Sequence, residues 1–271
     1  MNKKTLCAFI GSAGLLFAAH LAHAAPVSLK VEIQQTNDDG SLVNGLKTSK
    51  TWDLSDESLW MPTSEDPEVF DLISTSLKWK NKSSLAFGSA AEVYINDLKY
   101  DADPLLSFDI TLMNNTAFNQ TYSLSYNTPL LPMLTGMVNA SSQLTAILTD
   151  ANNNGAAKIA PLAGSTILQA FDITVNGSEI PKNVDIGNSF SIGGGTASKN
   201  WSAVNTLVCG TGDFACETMS AVLTLTLSKG DKVRLYGEVE QIQAVPVPSS
   251  AILLGSMLAL LAGVRRKLYA A

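Results

Sequence analysis

From residue 27 to residue 239 the apolar side chains keep returning at every second position, the period of a β-strand with one wet face. Val27, Leu29, Val31 and Ile33 alternate with Ser28, Lys30 and Glu32. The pattern recurs at Phe108, Ile110 and Leu112, at Tyr122, Leu124 and Tyr126, and at Leu144, Ala146 and Leu148. It returns at Phe171, Ile173 and Val175, at Leu223, Leu225 and Leu227, and at Val233, Leu235 and Val239. Runs such as Asn37-Asp38-Asp39-Gly40 punctuate it with turn chemistry. Many short amphipathic strands and scarce helical periodicity predict an all-β fold, an antiparallel β-sandwich of jelly-roll or Ig-like type.

Several segments are read more specifically. Asp103 to Pro132 predicts a hairpin in one wall of the sandwich, with Asn114, Asn115 and Thr116 as its turn. Thr51 to Pro67 reads as irregular, with a helical turn at Asp53 to Leu59, and Val69 to Lys80 reads as one strand. Ile186 to Lys199, containing Gly193-Gly194-Gly195, reads as a loop and a candidate domain hinge. Whether the body is one sandwich or two stays open at this level.

Both ends of the chain read as targeting segments. Residues 1–24 predict a signal peptide that would form an apolar helix: Lys3 and Lys4 precede a mostly apolar stretch from Leu6 to Leu21. Ala22-His23-Ala24 supplies a small-residue cleavage site, with the mature chain starting at Ala25. At the other end, Val245-Pro246-Val247-Pro248 leads into an apolar run from Ala251 to Val264, closed by Arg265, Arg266 and Lys267. Such a segment enters a bilayer, with its cations held at the cytoplasmic face. The run is shorter than the ~20 residues a spanning helix needs, so a permanent membrane anchor is the second reading.

The arrangement of residues 245–271 resembles the PEP-CTERM sorting signal of Gram-negative bacteria. Val245, Pro246, Pro248, Gly255, Gly263 and the basic triplet match that pattern, and Val247 stands where the family usually has Glu. The wording around Asp103-Pro104 and Tyr122 to Pro129 also resembles a recurring segment of PEP-CTERM surface proteins. The resemblance implies export by the Sec machinery, a transient inner-membrane stage and processing by exosortase. It further implies a final place at the cell surface or in the extracellular matrix, in company with exopolysaccharide.

Removing the two segments takes five cations and no anion from a chain of net charge −6, leaving −11. It also removes both histidines, His20 and His23, and leaves Arg234 as the only arginine of residues 25–244. Phosphate-neutralising clusters are therefore missing, which argues against nucleic acid as a partner. Without histidine there is no Ser-His-Asp triad and no histidine metal site. Cys209 and Cys216, separated by a glycine-bearing spacer in an exported chain, predict a local disulfide.

Two chemistries remain to be weighed. Asp150, Asn152, Asn154 and Gly155 match the first half of a calcium loop, but Pro161 stands where its bidentate acid belongs. Acid pairs such as Asp101 with Asp103, Asp38 with Asp39 and Glu65 with Asp66 read as solvated turns rather than a glycosidase pair. The expectation is a non-catalytic surface or matrix protein with no cofactor. The alternatives are a carbohydrate-binding module, which would show two or more tryptophans exposed on one face, and a glycoside hydrolase.

Overall fold

The computed structural model describes residues 28–37, 41–64, 69–73, 77–81, 90–101, 105–175, 178–179, 184–210 and 215–243. The signal segment, its cleavage residues Ala22, Ala24 and Ala25, and the sorting motif from Val245 to Lys267 lie outside the described residues, as do the two flanking helices predicted there.

Among the described residues sixteen strands form two antiparallel sheets. In chain order they are β1 (Ser28–Thr36), β2 (Leu42–Asp53), β3 (Trp60–Pro62), β4 (Val69–Leu72), β5 (Leu77–Asn81), β6 (Ala91–Asp101), β7 (Leu105–Asn114) and β8 (Asn119–Leu134). Then come β9 (Gly136–Thr149), β10 (Ala157–Ala160), β11 (Gln169–Val175), β12 (Ser178–Glu179), β13 (Phe190–Ile192), β14 (Thr196–Cys209), β15 (Cys216–Leu227) and β16 (Lys232–Gln243). One sheet runs β12-β11-β15-β8-β1-β2, with β10 pairing β15 and β13. The other runs β14-β9-β16-β7-β6-β4-β3, with β5 pairing β6.

The alternating apolar residues form a single buried cluster between the sheets. Leu29, Val31, Ile33, Leu124 and Leu223 enter it from the first sheet; Val93, Ile110, Leu112, Leu144, Leu148, Val233 and Leu235 enter from the second. Each such side chain contributes about 1.5–3 kcal/mol when fully withdrawn from water. Tyr122 reaches across the core, its hydroxyl donating to the Met113 carbonyl at 2.9 Å. Burial raises the Tyr122 pKa well above that of a free phenol, so the group stays a donor.

The expected hairpin between β7 and β8 is not formed. β7 pairs with β6 and β16, whereas β8 pairs with β1 and β15 in the opposite sheet. The two strands have apolar faces that cover each other, so the chain arches across the core instead of folding back within one sheet. Asn114 holds the arch. Its amide nitrogen donates to the carbonyls of Phe118, Leu227 and Ser228 at 2.8–3.1 Å, and its oxygen accepts from the Thr116 backbone and hydroxyl.

Other expectations need smaller corrections. The stretch from Thr51 to Pro67 contains the end of β2, a 3₁₀ turn at Glu57–Leu59 and β3. Residues 69 to 80 give two short strands, β4 and β5, which pair separately with β6. The expected hinge is a turn between β13 and β14, with Gly194 and Gly195 at φ of 115° and 71°. The disulfide is present: Cys209 closes β14 and Cys216 opens β15, so one covalent link ties the two sheets. A loop this short contributes about 2–3 kcal/mol by restricting the unfolded chain.

One glycine is required by packing. Gly237 in β16 is the register partner of Phe108, whose ring occupies the space a Cβ would take. We expect Gly237→Ala to lower stability by about 2–3 kcal/mol through overpacking. Phe108→Leu in the same background should recover part of that loss. Urea midpoints at unchanged slope would check both.

Candidate functional site

The outer face of the second sheet carries a continuous polar surface around a hollow. It rests on four neighbouring strands, β9, β16, β7 and β6. Thr145, Tyr236, Asp109 and Asp97 are register partners in one row; Gln143, Glu238, Ser107 and Lys99 form the next. Directly opposed residues share a face, so the two rows make a continuous polar array. Between them lies a shallow hollow of about 320 Å³, lined by residues of both rows with Phe108 and Gly237.

A local irregularity builds one side of this site. The register of β6 against β7 shifts between Ile95 and Asp97. Ile95 and Leu98 are both buried, so the extra residue leaves Asn96 and Asp97 together on the outer side. Asn96 donates to Asp109 Oδ1 at 2.9 Å and to Thr111 Oγ1 at 3.0 Å. A strand with strict alternation would hide one of the pair.

The charged groups constrain one another. Arg234 forks onto Asp109, with Nε to Oδ1 at 3.0 Å and Nη2 to Oδ2 at 2.5 Å. Its guanidinium also lies 4.7 Å from the Tyr236 ring centroid. The hydrogen bond to Asp109 raises the Arg234 pKa further, so the cation is permanent. A bidentate, stacked arginine fixes ring and carboxylate together. On the far side Lys99 bridges Asp71 at 3.0 Å and Asp97 at 3.6 Å.

Burial disfavours the charged form of two acids. Burial raises the Asp97 pKa, an effect that Lys99 opposes and the Asp71 charge assists. Burial also raises the Glu238 pKa, and the neighbouring Glu240 adds to it. Both carboxylates would gain from a ligand bringing hydroxyl donors.

The residues singled out in the sequence lie elsewhere. Trp60 is buried, and Trp52, Trp79 and Trp201 are half-buried against the core. Among the described residues no tryptophan forms an exposed platform, so the expected mark of a tryptophan-lined binding face is missing. The reason is register: Trp52 opposes Leu29, Trp79 opposes Val93 and Trp201 opposes Leu144, all core-facing. Of the acid pairs, Asp101 ends β6, while Asp38, Asp39, Glu65, Asp66 and Asp103 lie outside the described residues.

The calcium-like loop connects β9 to β10. Asp150 accepts from the Asn154 and Gly155 amides, Asn152 accepts from the Asn154 amide, and Asn154 accepts from the Ala156 amide. Among the described residues no group of three histidine, cysteine, aspartate or glutamate side chains forms a metal cluster.

The polar rows are not legible in the sequence, because outward residues of an amphipathic strand read as solvated. The one available signal was Asn96-Asp97, two polar residues in succession where Ile95 and Leu98 flank them.

Comparison with known proteins gives little more. The sequence matches no family profile and no curated protein. Among solved structures, the enzymatically active domain of tailspike protein 4 from bacteriophage CBA120 aligns at 10% identity and a TM-score of 0.22. That alignment covers 69% of this chain and 20% of the tailspike chain, so the chain spans a fifth of that structure's length. A family 11 carbohydrate-binding module from Clostridium thermocellum, in complex with a mixed-linked tetrasaccharide, aligns at 10% identity and 0.21, over 64% of this chain and 91% of the module. The tandem CBM22 domain of Paenibacillus barcinonensis Xyn10C aligns at 7% identity and 0.25, over 82% and 75% of the two chains. Superpositions this loose do not establish a common fold.

Because the charged form of Glu238 is the disfavoured one, its contribution has a definite sign. The native state holds that proton more tightly than the unfolded chain, so stability falls as pH rises from about 4.5, the ordinary glutamate value. Glu238→Gln should raise the melting temperature at pH 7 by about 1–3 °C. The gain should vanish below about pH 4.5 in a thermal melt series.

Proposed function

We propose that this chain is an exported, non-catalytic polysaccharide-binding β-sandwich, and that the hollow on the outer face of the second sheet holds the glycan. The observation that carries the reading is the preorganised polar array around that hollow. Sugars present hydroxyls that both donate and accept, together with a face of C–H bonds. Gln143, Asp97 and Glu238 offer planar acceptors, Lys99 offers donors, and Tyr236 offers ring surface.

The charge of the body narrows the ligand. Residues 25–244 carry a net charge of −11, and two carboxylates of the hollow are already disfavoured as anions. Anionic polymers would be repelled from such a surface. The glycan is therefore proposed to be neutral, and its binding to change little with salt.

Delivery follows from the terminal segments. The Ala22-His23-Ala24 site and the resemblance of residues 245–271 to PEP-CTERM signals support Sec export, exosortase processing and a place at the cell surface or in an exopolysaccharide matrix. The tail acts as a transient inner-membrane segment in this scheme.

Affinity electrophoresis of the mature chain through gels containing neutral or anionic polysaccharides would test the binding reading. Retardation is expected in a neutral gel, with Tyr236→Ala and Gln143→Ala each weakening it at least tenfold and no reducing ends released. Equal mobility in every gel would sink the glycan reading, and released reducing ends would replace it with hydrolysis. For delivery, mass spectrometry of surface material should find a C-terminus upstream of Arg265 when the sorting enzyme is active. A full-length chain there would make the tail a permanent anchor.

A further inference from the structure

At one end of the sandwich, two neighbouring strands of the second sheet bring two acids together. The last register pair between β9 and β16 is Thr149 with Lys232, so Asp150 and Asp231 stand opposite each other one step beyond it. They share the core-facing side with Leu148 and Val233, and are only 4% and 1% exposed. Like charges directly opposite on a sheet repel, and burial makes that worse.

The surroundings answer only part of this charge. Asp150 accepts two loop amides, from Asn154 and Gly155. Ser228 donates to Asp231 Oδ2, but Asp231 Oδ1 is buried without a hydrogen-bond partner. Burial, and with it the Asp150 charge, raises the Asp231 pKa, while the Ser228 hydroxyl and, less strongly, the Ala151 amide oppose the shift. Deeply buried oxygens rarely go unpaired without a reason.

The same place holds the loop whose sequence follows a calcium pattern for six residues and then lacks its acid. Asp231 comes from the turn between β15 and β16, some eighty positions along the chain, which no local spacing would reveal. The Gly193-Gly194-Gly195 turn packs alongside. A Cβ at Gly194 would sit 3.6 Å from Asp150 Oδ2, and the Gly195 carbonyl accepts the Asp150 amide at 2.9 Å. Gly194 thus lines one side of the Asp150 carboxylate.

We propose that Asp150 and Asp231, together with oxygens of the Asp150–Gly155 loop, form a calcium site in which Asp231 supplies the acid missing from the loop. The cation takes the orphaned Asp231 oxygen and screens the two carboxylates from each other. A hard cation with oxygen ligands fits this donor set, and two carboxylates suit the affinity of extracellular modules, about 10⁻⁴–10⁻³ M. The site is independent of the glycan hollow.

The test uses the mature chain, treated with EDTA and then dialysed. Millimolar CaCl₂ should raise its melting temperature by several degrees, more than MgCl₂ or NaCl of equal ionic strength, and calorimetry should give one calcium per chain. Asp231→Asn should weaken calcium affinity at least tenfold. Its calcium-free melting temperature should equal or exceed that of the parent, because a like charge has gone; this shows the variant is folded. Glu240→Gln, which removes an acid from the outer face, should leave the calcium response unchanged. Identical parent melts in calcium and EDTA, as two carboxyls sharing a proton would give, overturn the proposal. So does an Asp231→Asn variant that keeps the full response.

Discussion

The arch at Asn114 is the constraint on which the architecture depends. An apolar strand face must be covered, and here β7 is covered by β8, the next strand along, which belongs to the other sheet. The crossing exposes backbone groups at the end of the core, where unpaired carbonyls and amides are costly. One fully buried amide side chain satisfies them, linking Phe118, Leu227 and Ser228 to the turn at Thr116. Leucine would fill the volume and satisfy none of these groups. A carboxylate would lack the donors.

The strands that carry the core were legible because their inward positions are almost uniformly apolar. The long edge strands were not. In β14 the core-side positions include Lys199, Trp201, Ala203 and Asn205, because an edge strand is only partly covered by the opposite sheet. In β2 the corresponding positions include Thr48, Lys50 and Trp52. A two-residue period survives there, but its hydrophobic contrast fades. The absence of a β7–β8 hairpin has a related origin: periodicity says which side of a strand is dry and nothing about which strand lies beside it.

The outer face shows the same limit from the other direction. Its residues look like ordinary solvated positions, and only pairing across four strands turns them into an array. The bulge at Asn96 and Asp97, the Arg234 fork onto Asp109 and the absent side chain at Gly237 all depend on partners far away in sequence. Such a surface carries an electrostatic cost, because two of its carboxylates are partly withdrawn from water. The disulfide was foreseen because its two cysteines are neighbours in the chain and the spacer between them is short.

The position of the first and last strands has a mechanical consequence. β1 is flanked by β8 and β2, and β16 by β9 and β7, so neither terminal strand lies at an edge. Tension applied through the residues after Gln243 would load β16 lengthwise, against two hydrogen-bonded ladders at once. Those bonds would share the pull in shear, whereas an edge strand could be peeled away one rung at a time. A molecule tethered by its ends would thus yield late and abruptly under traction.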